Sequence, residues 1–503
     1  MKFLSKLVNY LTESIAYYGG DYKQLIENYR RNIIIFLSTT ILVEIFFILL
    51  NFKRIVKLPI YLFLPFIVML QLIIILYPLL SVWSNKEEFK KLLEKELPFF
   101  VMILYLNSLF DKGIIETLKE VSKKKLLKSI EREFMMIEKD MKLFNKSISK
   151  AIEKRALLHS SDNYGKFLSS YLSSLYVGTN MKQTLREELK NQLLYIHEKY
   201  KEYVNRSTEL AELIFSIYLL VPLILFGFSF AFKINIVYLL LPMALTPAFL
   251  LLIGLQQPDM GYQINYNYKD IAVFASSFSI LVVPFFNLTE KITIIVFINI
   301  ISLIRKYIKI INDEKILNEI PLLLKEISEF TRVGYSIKNA ILKIDLTRYS
   351  KPTQKLVSKI RKDVIVNGKL SRINSSIWLI DSTFSILDMI DIIGGETYSV
   401  LTELSTILNN IINERKNLMN ELKPYEFLAY VTPLLLWFTL TIFSGISVNS
   451  GAVLLLHVVL ISYSVLTAII FTKLSKFTII NVPLLSSVTA LSLILSIIPL
   501  RLI

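Results

Sequence analysis

Two hydrophobic rhythms alternate along this chain. In one, apolar residues run almost unbroken at residues 32–50, 58–82, 213–232, 236–255, 271–286, 292–304, 429–446, 452–472 and 477–499. A membrane-crossing helix needs about 20 mostly apolar residues, so these runs predict nine spans. The fifth and sixth are short, because Pro284, Asn287, Glu290 and Lys291 break one long apolar run into two halves. In the other rhythm, apolar residues recur every three or four positions among charged ones, at residues 84–212 and 305–426. Leu97, Phe100, Val101, Leu104 and Tyr105 show it in the first block, and Ile320, Leu323, Leu324 and Ile327 in the second. That period is helical, and strand signals are nearly absent. The expected fold is an all-α integral membrane protein with about nine transmembrane helices and two cytoplasmic helical-bundle domains. Its segments are residues 1–83 (an amino-terminal segment and two spans), 84–212 (first helical domain), 213–304 (four spans), 305–426 (second helical domain) and 427–503 (three spans).

Charge chooses the side. Lys and Arg outnumber Asp and Glu in both blocks, which places both in the cytoplasm. Lys2, Lys6, Arg30 and Arg31 put the amino terminus there too, whereas Lys53, Arg54 and Lys57 sit in a loop on the opposite side. The parity needs both the fifth and sixth spans; fused into one helix, they would leave the blocks facing opposite sides. The outer loops are too short to form a domain, and no cleavable leader pattern precedes the first span. The sequon Asn287-Leu288-Thr289 lies so close to the membrane that it is read as chance.

The two helical blocks repeat each other. LEKELPFFVMILYLNSLFDKGIIETL, residues 93–118, corresponds to ILNEIPLLLKEISEFTRVGYSIKNAIL, residues 316–342. Each opens on an acid, an aliphatic residue and a proline: Glu96-Leu97-Pro98 and Glu319-Ile320-Pro321. Both prolines are expected near helix starts, where a missing N–H costs nothing. Gly113 and Gly334 are expected to close that helix and open a turn into a second one. A later pair of amphipathic helices begins at Gly178 and Gly394. Without a gap, Leu185 matches Leu401, Glu187 matches Glu403, Ile196 matches Ile412, Glu198 matches Glu414 and Lys199 matches Arg415. Each leads into a span, so the chain reads as a tandem duplication of one orientation. Inverted repeats would have suggested a transporter.

Composition narrows the chemistry. The 503 residues are 53% hydrophobic, with no cysteine, so disulfides and thiolate metal sites are excluded. The net charge of +16 is explained by basic cytoplasmic faces, without nucleic acid. No P-loop, H-E-x-x-H or G-x-S-x-G pattern occurs, and His159, His197 and His457 carry no ligand spacing. No enzymatic activity, metal or cofactor is expected. Lys123, Lys124, Lys125 and Lys128 form the densest basic cluster, with Arg361 and Lys362 a weaker counterpart; either fits an acidic partner surface or anionic lipid headgroups, or simply a solvated helix face. Glu44 sits mid-span, where a carboxyl either meets a polar group of an embedded partner or fixes helix packing.

The duplicated helical domains, the Glu-aliphatic-Pro openings, the Gly-led turns and the final amphipathic helices feeding spans resemble the type II secretion system F family. These are the membrane platform proteins of type II secretion, type IV pili and the archaellum. The resemblance covers residues 89–224 and 313–440, and rests on Glu96, Pro98, Gly113, Gly178 and Glu187 with Glu319, Pro321, Gly334, Gly394 and Glu403. Bacterial members typically have three spans, so about nine resembles the archaeal members more closely. The resemblance implies a platform without ATPase activity of its own. Its cytoplasmic domains would contact a hexameric secretion ATPase, through the basic positions above. Its spans would pass pilin-like subunits into a filament, with Glu44 a candidate contact, and homodimerisation would be expected. A pilus or an archaellum would serve as product, and a transporter or channel is the rival class.

Overall fold

The structure, a computed structural model, describes residues 11–20, 64–222, 245–258, 268–283, 287–368, 375–393, 397–444 and 450–498, and the single positions 27, 30, 31, 34, 38, 224, 242, 243, 262, 285, 370 and 373. Glu44, Gly394, Pro284, the basic loop at 53–57 and nearly all of the first predicted span lie outside the described residues. Among the described residues the chain is all-helical, and its one β-type pairing is an isolated bridge between Tyr262 and Ile377. It divides into two compact units, Met1–Gln192 and Leu193–Ile503.

The first unit contains residues 11–18 (α1), Leu64–Ser108 (α2), Ile114–Lys124 (α3), Lys128–Leu143 (α4), Ile148–Leu158 (α5), Asn163–Val177 (α6) and the start of Met181–Phe215 (α7). Its core follows the sequence period. Ile114, Leu118 and Val121 line the buried face of α3, and Ile130, Phe134 and Ile137 that of α4. Leu93, Leu97, Phe100 and Leu104 present α2 to the same interior. There Phe100 meets Phe167 of α6 edge-on, with ring centroids 6.0 Å apart.

The second unit holds the rest of α7, then Thr246–Gln256 (α8), Tyr268–Ser277 (α9), Leu288–Arg332 (α10), Ile337–Lys343 (α11), Lys351–Asn367 (α12), Trp378–Ile393 (α13) and Thr397–Glu421 (α14). Lys423–Ser444 (α15), Ser450–Lys476 (α16) and Val482–Ile497 (α17) follow. The last three pack on one another around Leu436, Leu440, Leu460, Phe471 and Val488. Among the described residues one helix, Leu456–Lys476, is long and apolar enough to cross a membrane, with a mean hydropathy of 1.8; α8 and α17 are apolar but shorter.

The element order repeats. The run α2, α3, α4, α6, α7 has its counterpart in α10, α11, α12, α13, α14, and α5 belongs to the first copy alone. Both opening helices are 45 residues long, and this corrects the expected place of the prolines. Pro98 and Pro321 lie far inside α2 and α10, not near helix starts. No proline or glycine stands at the junction of the apolar and charged halves of either helix, and Pro78 within the apolar half of α2 does not end it, so helix nucleated on one side propagates through. Pro98 and Pro321 each withdraw one backbone hydrogen bond, from the carbonyls of Glu94 and Leu317, without ending the helix.

The residues between the fifth and sixth apolar runs have a local role. Asn287 caps α10, and Glu290 returns a hydrogen bond to the Asn287 N–H at 3.0 Å, a reciprocal capping box. On either side the chain doubles back. The Lys306 ammonium lies 2.7 Å from Asp270, and the Asn299 amide donates to Ser277 Oγ at 3.1 Å. Residues 268–282 and the first part of α10 therefore form an antiparallel hairpin and cannot be one continuous helix.

Candidate functional sites

The glutamates of the two repeat openings do one job twice. Leu127, at the amino-terminal boundary of α4, offers no side-chain cap. Glu96 on α2 replaces it, accepting from the backbone N–H of Lys128 at 2.9 Å, Ser129 at 2.8 Å and Ile130 at 3.3 Å. The Ser129 hydroxyl donates to the same carboxylate. These are orphan donors of a helix start, on the positive end of its dipole. Burial nevertheless dominates, and holds the Glu96 carboxyl above its ordinary pKa against the pull of these hydrogen bonds. In the second copy Glu319 on α10 accepts from the Ser350 N–H at 3.1 Å and the Ser350 hydroxyl at 3.0 Å, at the start of α12. Ser350 likewise caps no backbone N–H of α12 with its own side chain, and its hydroxyl meets only the Thr353 hydroxyl there, at 3.3 Å.

The matched glycines differ. Gly334 has φ +96°, a conformation that excludes most side chains, and Gly178 caps α6 at φ +76°. Gly113 has φ −83° and serves as the extended residue before α3. The left-handed residue of that turn is Asp111, at φ 60°. The expectation of one turn with one glycine role therefore holds at Gly334 and is corrected at Gly113. Glu187 is exposed and receives a hydrogen bond from Gln183, while Glu403 is half-buried on α14.

Lys123 and Lys124 occupy the last turn of α3, Lys125 is its left-handed cap, and Lys128 opens α4. Lys123, Lys125 and Lys128 are exposed, which leaves a basic corner where α3 ends. Arg361 is different: its guanidinium donates to the carbonyls of Ile341 at 2.9 Å and of Ile344, closing the end of α11. Its charge is spent inside the domain, and Lys362 is the exposed member of that pair.

A buried charge network docks the amino-terminal helix in the first unit. Arg155 of α5 makes a two-pronged ion pair with Glu133 of α4, Nε to Oε2 at 2.8 Å and Nη2 to Oε1 at 2.6 Å. The same guanidinium donates to the carbonyls of Ala16 at 2.9 Å and Tyr17 at 2.7 Å, which are unpaired acceptors at the end of α1. His159 bridges Asp162 through Nδ1 at 2.7 Å and Glu133 through Nε2 at 3.0 Å. The Tyr17 hydroxyl donates to Asp162, which also caps α6 through the Gly165 N–H at 2.9 Å. Glu133 and His159 are 0% exposed, and Arg155 and Asp162 3%. Burial alone would raise the Glu133 and Asp162 carboxyls, but Arg155 and His159 hold Glu133 below the ordinary range, and His159 does the same for Asp162. Burial would lower His159, but its bonds to the two carboxylates push it up.

A second network lies in the second unit. Arg415 occupies the buried stripe of α14, between Ile412 and Leu418. Its Nη2 lies 2.6 Å from Glu314 of α10, and its guanidinium lies over the Tyr262 ring, 4.9 Å from the centroid. The Tyr262 hydroxyl donates to Glu314 at 2.5 Å. One residue earlier, Glu414 lies 2.7 Å from His197 Nδ1 on α7. Tyr203 of α7 packs with Leu418, Leu422 and Phe477, and donates to the Leu474 carbonyl at 2.9 Å. The Gln257 amide donates to the carbonyl of Lys473.

The sequence alone assembles neither network: His159 carries no ligand spacing there, and Arg415 stands out only as the match of Lys199. The available signal was a charged residue on an apolar stripe: Glu133 beside Ile130 and Phe134, Arg155 beside Ala151 and Ile152, and Arg415 as above. Among the described residues, no group of three or more His, Asp or Glu side chains is placed to hold a metal ion. No family model, no curated protein and no solved structure matches this chain.

Proposed function

We propose that this chain is a multi-pass membrane platform that couples a cytoplasmic secretion ATPase to assembly of a type IV pilus-like filament from membrane-embedded, pilin-like subunits. The observation that carries the reading is the repeated opening. A 45-residue helix whose first part is apolar enters a helical bundle, and its Glu-aliphatic-Pro glutamate pins the start of a later helix there, in both copies. A device used twice in one orientation suits two similar domains on one side of a membrane, facing a ring-shaped partner. On this reading the protein supplies no chemistry, and its helices transmit motion from ATPase to filament subunits.

The topology behind the proposal has nine spans with both helical domains cytoplasmic. The antiparallel hairpin supports the shared side of the two domains, because residues 270 and 306 end at one level whether or not the hairpin tip reaches the far surface. Further support comes from four places that the topology assigns to the cytoplasmic face: the end of α7, the α8–α9 connection, α14, and the α16–α17 connection. They meet through His197 with Glu414, Tyr203 with Leu474, Gln257 with Lys473, and Tyr262 with Arg415. Lys473 and Lys476, in the last turn of α16, carry the positive charge expected there.

The test is a pull-down of the tagged full chain from gently solubilised membranes, with partners identified by mass spectrometry. Recovery of a hexameric secretion ATPase with pilin-like subunits is the expected result, and the subunit's identity separates an adhesive pilus from an archaellum. Absence of any such ATPase under several detergents, together with solute movement by the purified protein in vesicles, would overturn the reading in favour of a transporter.

A further inference from the structure

We propose that the Arg415–Glu314–Tyr262 cluster is the joint through which movement of the second helical domain reaches the membrane segments. The inference rests on the platform reading, and names the residues that would carry its coupling step. Each member lies on a piece of chain continuous with an apolar segment. Glu314 is on α10, which begins in the hairpin at Leu288. Arg415 is on α14, seven residues before Leu422, where the chain turns into α15. Tyr262 lies in the connection between α8 and α9, and its backbone also bridges to Ile377 of the second domain. The domain cannot turn relative to these segments without loading this cluster.

The chemistry fits a joint better than a core filler. Arg415 is only 5% exposed and Glu314 is half-buried, and an ion pair drawn out of water in this way is commonly no more stabilising than apolar side chains of the same volume. Its Nη2 makes the ion pair with Glu314, while Nε and Nη1 are buried and, among the described residues, meet no acceptor in good hydrogen-bond geometry. Buried donors without partners are costly in one fixed arrangement, but they provide for a second set of partners when neighbouring helices shift. The guanidinium can slide over the flat Tyr262 ring without losing that contact outright, since cation–π attraction tolerates lateral displacement. Adjacent positions extend the joint, because Glu414 holds α7 through His197 and Leu418 meets Phe477. One face of α14 thus touches every cytoplasmic connection that the proposed topology contains in this unit.

The experiment compares the full chain with Arg415→Met, which keeps the stem and removes the charge, and with Tyr262→Phe, which keeps the ring and removes the hydroxyl given to Glu314. Three readouts are taken: ATPase recovered in the pull-down, filaments assembled, and hydrogen exchange of the peptide spanning residues 375–383, which Tyr262 bridges at Ile377, in the solubilised protein. The expected result for Arg415→Met is ATPase recovery within twofold of the parent, filament assembly reduced at least tenfold, and exchange of that peptide accelerated at least tenfold. Tyr262→Phe should shift the last two in the same direction by a smaller factor. Unchanged assembly in Arg415→Met overturns the proposal. So does loss of ATPase recovery in both variants, which would make the cluster a requirement for folding alone. If the parent chain recovers no ATPase, it is the platform reading that fails. In that case faster exchange in both variants still supports a tie between loop and domain, and unchanged exchange removes it.

Discussion

Replacing Glu96 with alanine tests whether the repeated glutamate is a cap delivered from another helix. The carboxylate accepts two short backbone hydrogen bonds, from Lys128 and Ser129, and a longer one from Ile130. Ser129 and Ile130 are buried, so their amides gain no water when the carboxylate goes. A buried donor stripped of its partner costs about 1–3 kcal/mol. The shorter Ser129 bond should lie high in that range and the 3.3 Å Ile130 bond low, for a loss of about 3 kcal/mol. Relief of a desolvated carboxyl offsets part of this, as the raised pKa of Glu96 indicates. At Glu319 the stake is smaller, since only the half-buried Ser350 is held, and Glu319→Ala should cost about 1 kcal/mol, as for an ordinary helix cap. Native-state hydrogen exchange on the intact, detergent-solubilised protein reads both sites, because opening free energy scales exchange directly. Exchange over residues 128–134 should rise roughly 100-fold in Glu96→Ala, and over residues 351–357 about fivefold in Glu319→Ala. Equal effects at the two sites, or unchanged protection at 128–134, would refute the reasoning.

Two further predictions concern the turn glycines and the buried network. Gly334→Ser should lower thermal stability by about 1 kcal/mol or more, because φ +96° is strained for any side chain, whereas Gly113→Ser should be neutral or slightly stabilising. No atom stands where a Cβ at Gly113 would go, so equal losses in the two melting curves would contradict the backbone assignment. Docking of α1 should depend on pH at both ends. The stabilisation from Glu133 and Asp162, whose pKa values are depressed, is present above their ordinary values of 4.5 and 3.8 and is lost as pH falls through the depressed ones. That from His159 is complete below its ordinary 6.5 and is lost as pH rises through its raised value. Limited proteolysis of residues 11–20 should therefore be slowest between these limits. A rate that is flat from acid to alkali would show that the network does not hold α1. Arg155→Met, which strands Glu133 without its partner at a cost of about 3–5 kcal/mol, should free the segment at every pH.

The sequence by itself determined that this chain is helical, where its helices bury their faces, and that its two charged blocks carry matching motifs. Those properties are local. A three-to-four-residue period on α3, α4 or α14 names the buried positions without knowledge of any partner, and Leu185 and Leu401, matched by spacing alone, are both buried. The tertiary structure alone decided what the repeated residues do. Glu96 and Glu319 look like ordinary amphipathic-helix acids until a helix start some 30 residues later is brought to them. Pro98 and Pro321 look like helix starts because their missing N–H argues for one, yet uninterrupted helix on both sides outweighs one lost hydrogen bond. Arg155 and Arg415 are visible in the sequence as charges on apolar stripes. Their counter-charges come from other helices, Glu133 and Glu314, and no periodicity within one helix encodes which carboxylate packing will place within 3 Å. The direction of the segment before α10 is of the same kind. Hydropathy marks two short apolar halves, and only the pairing of Asp270 with Lys306 shows that the chain returns to the level from which it left.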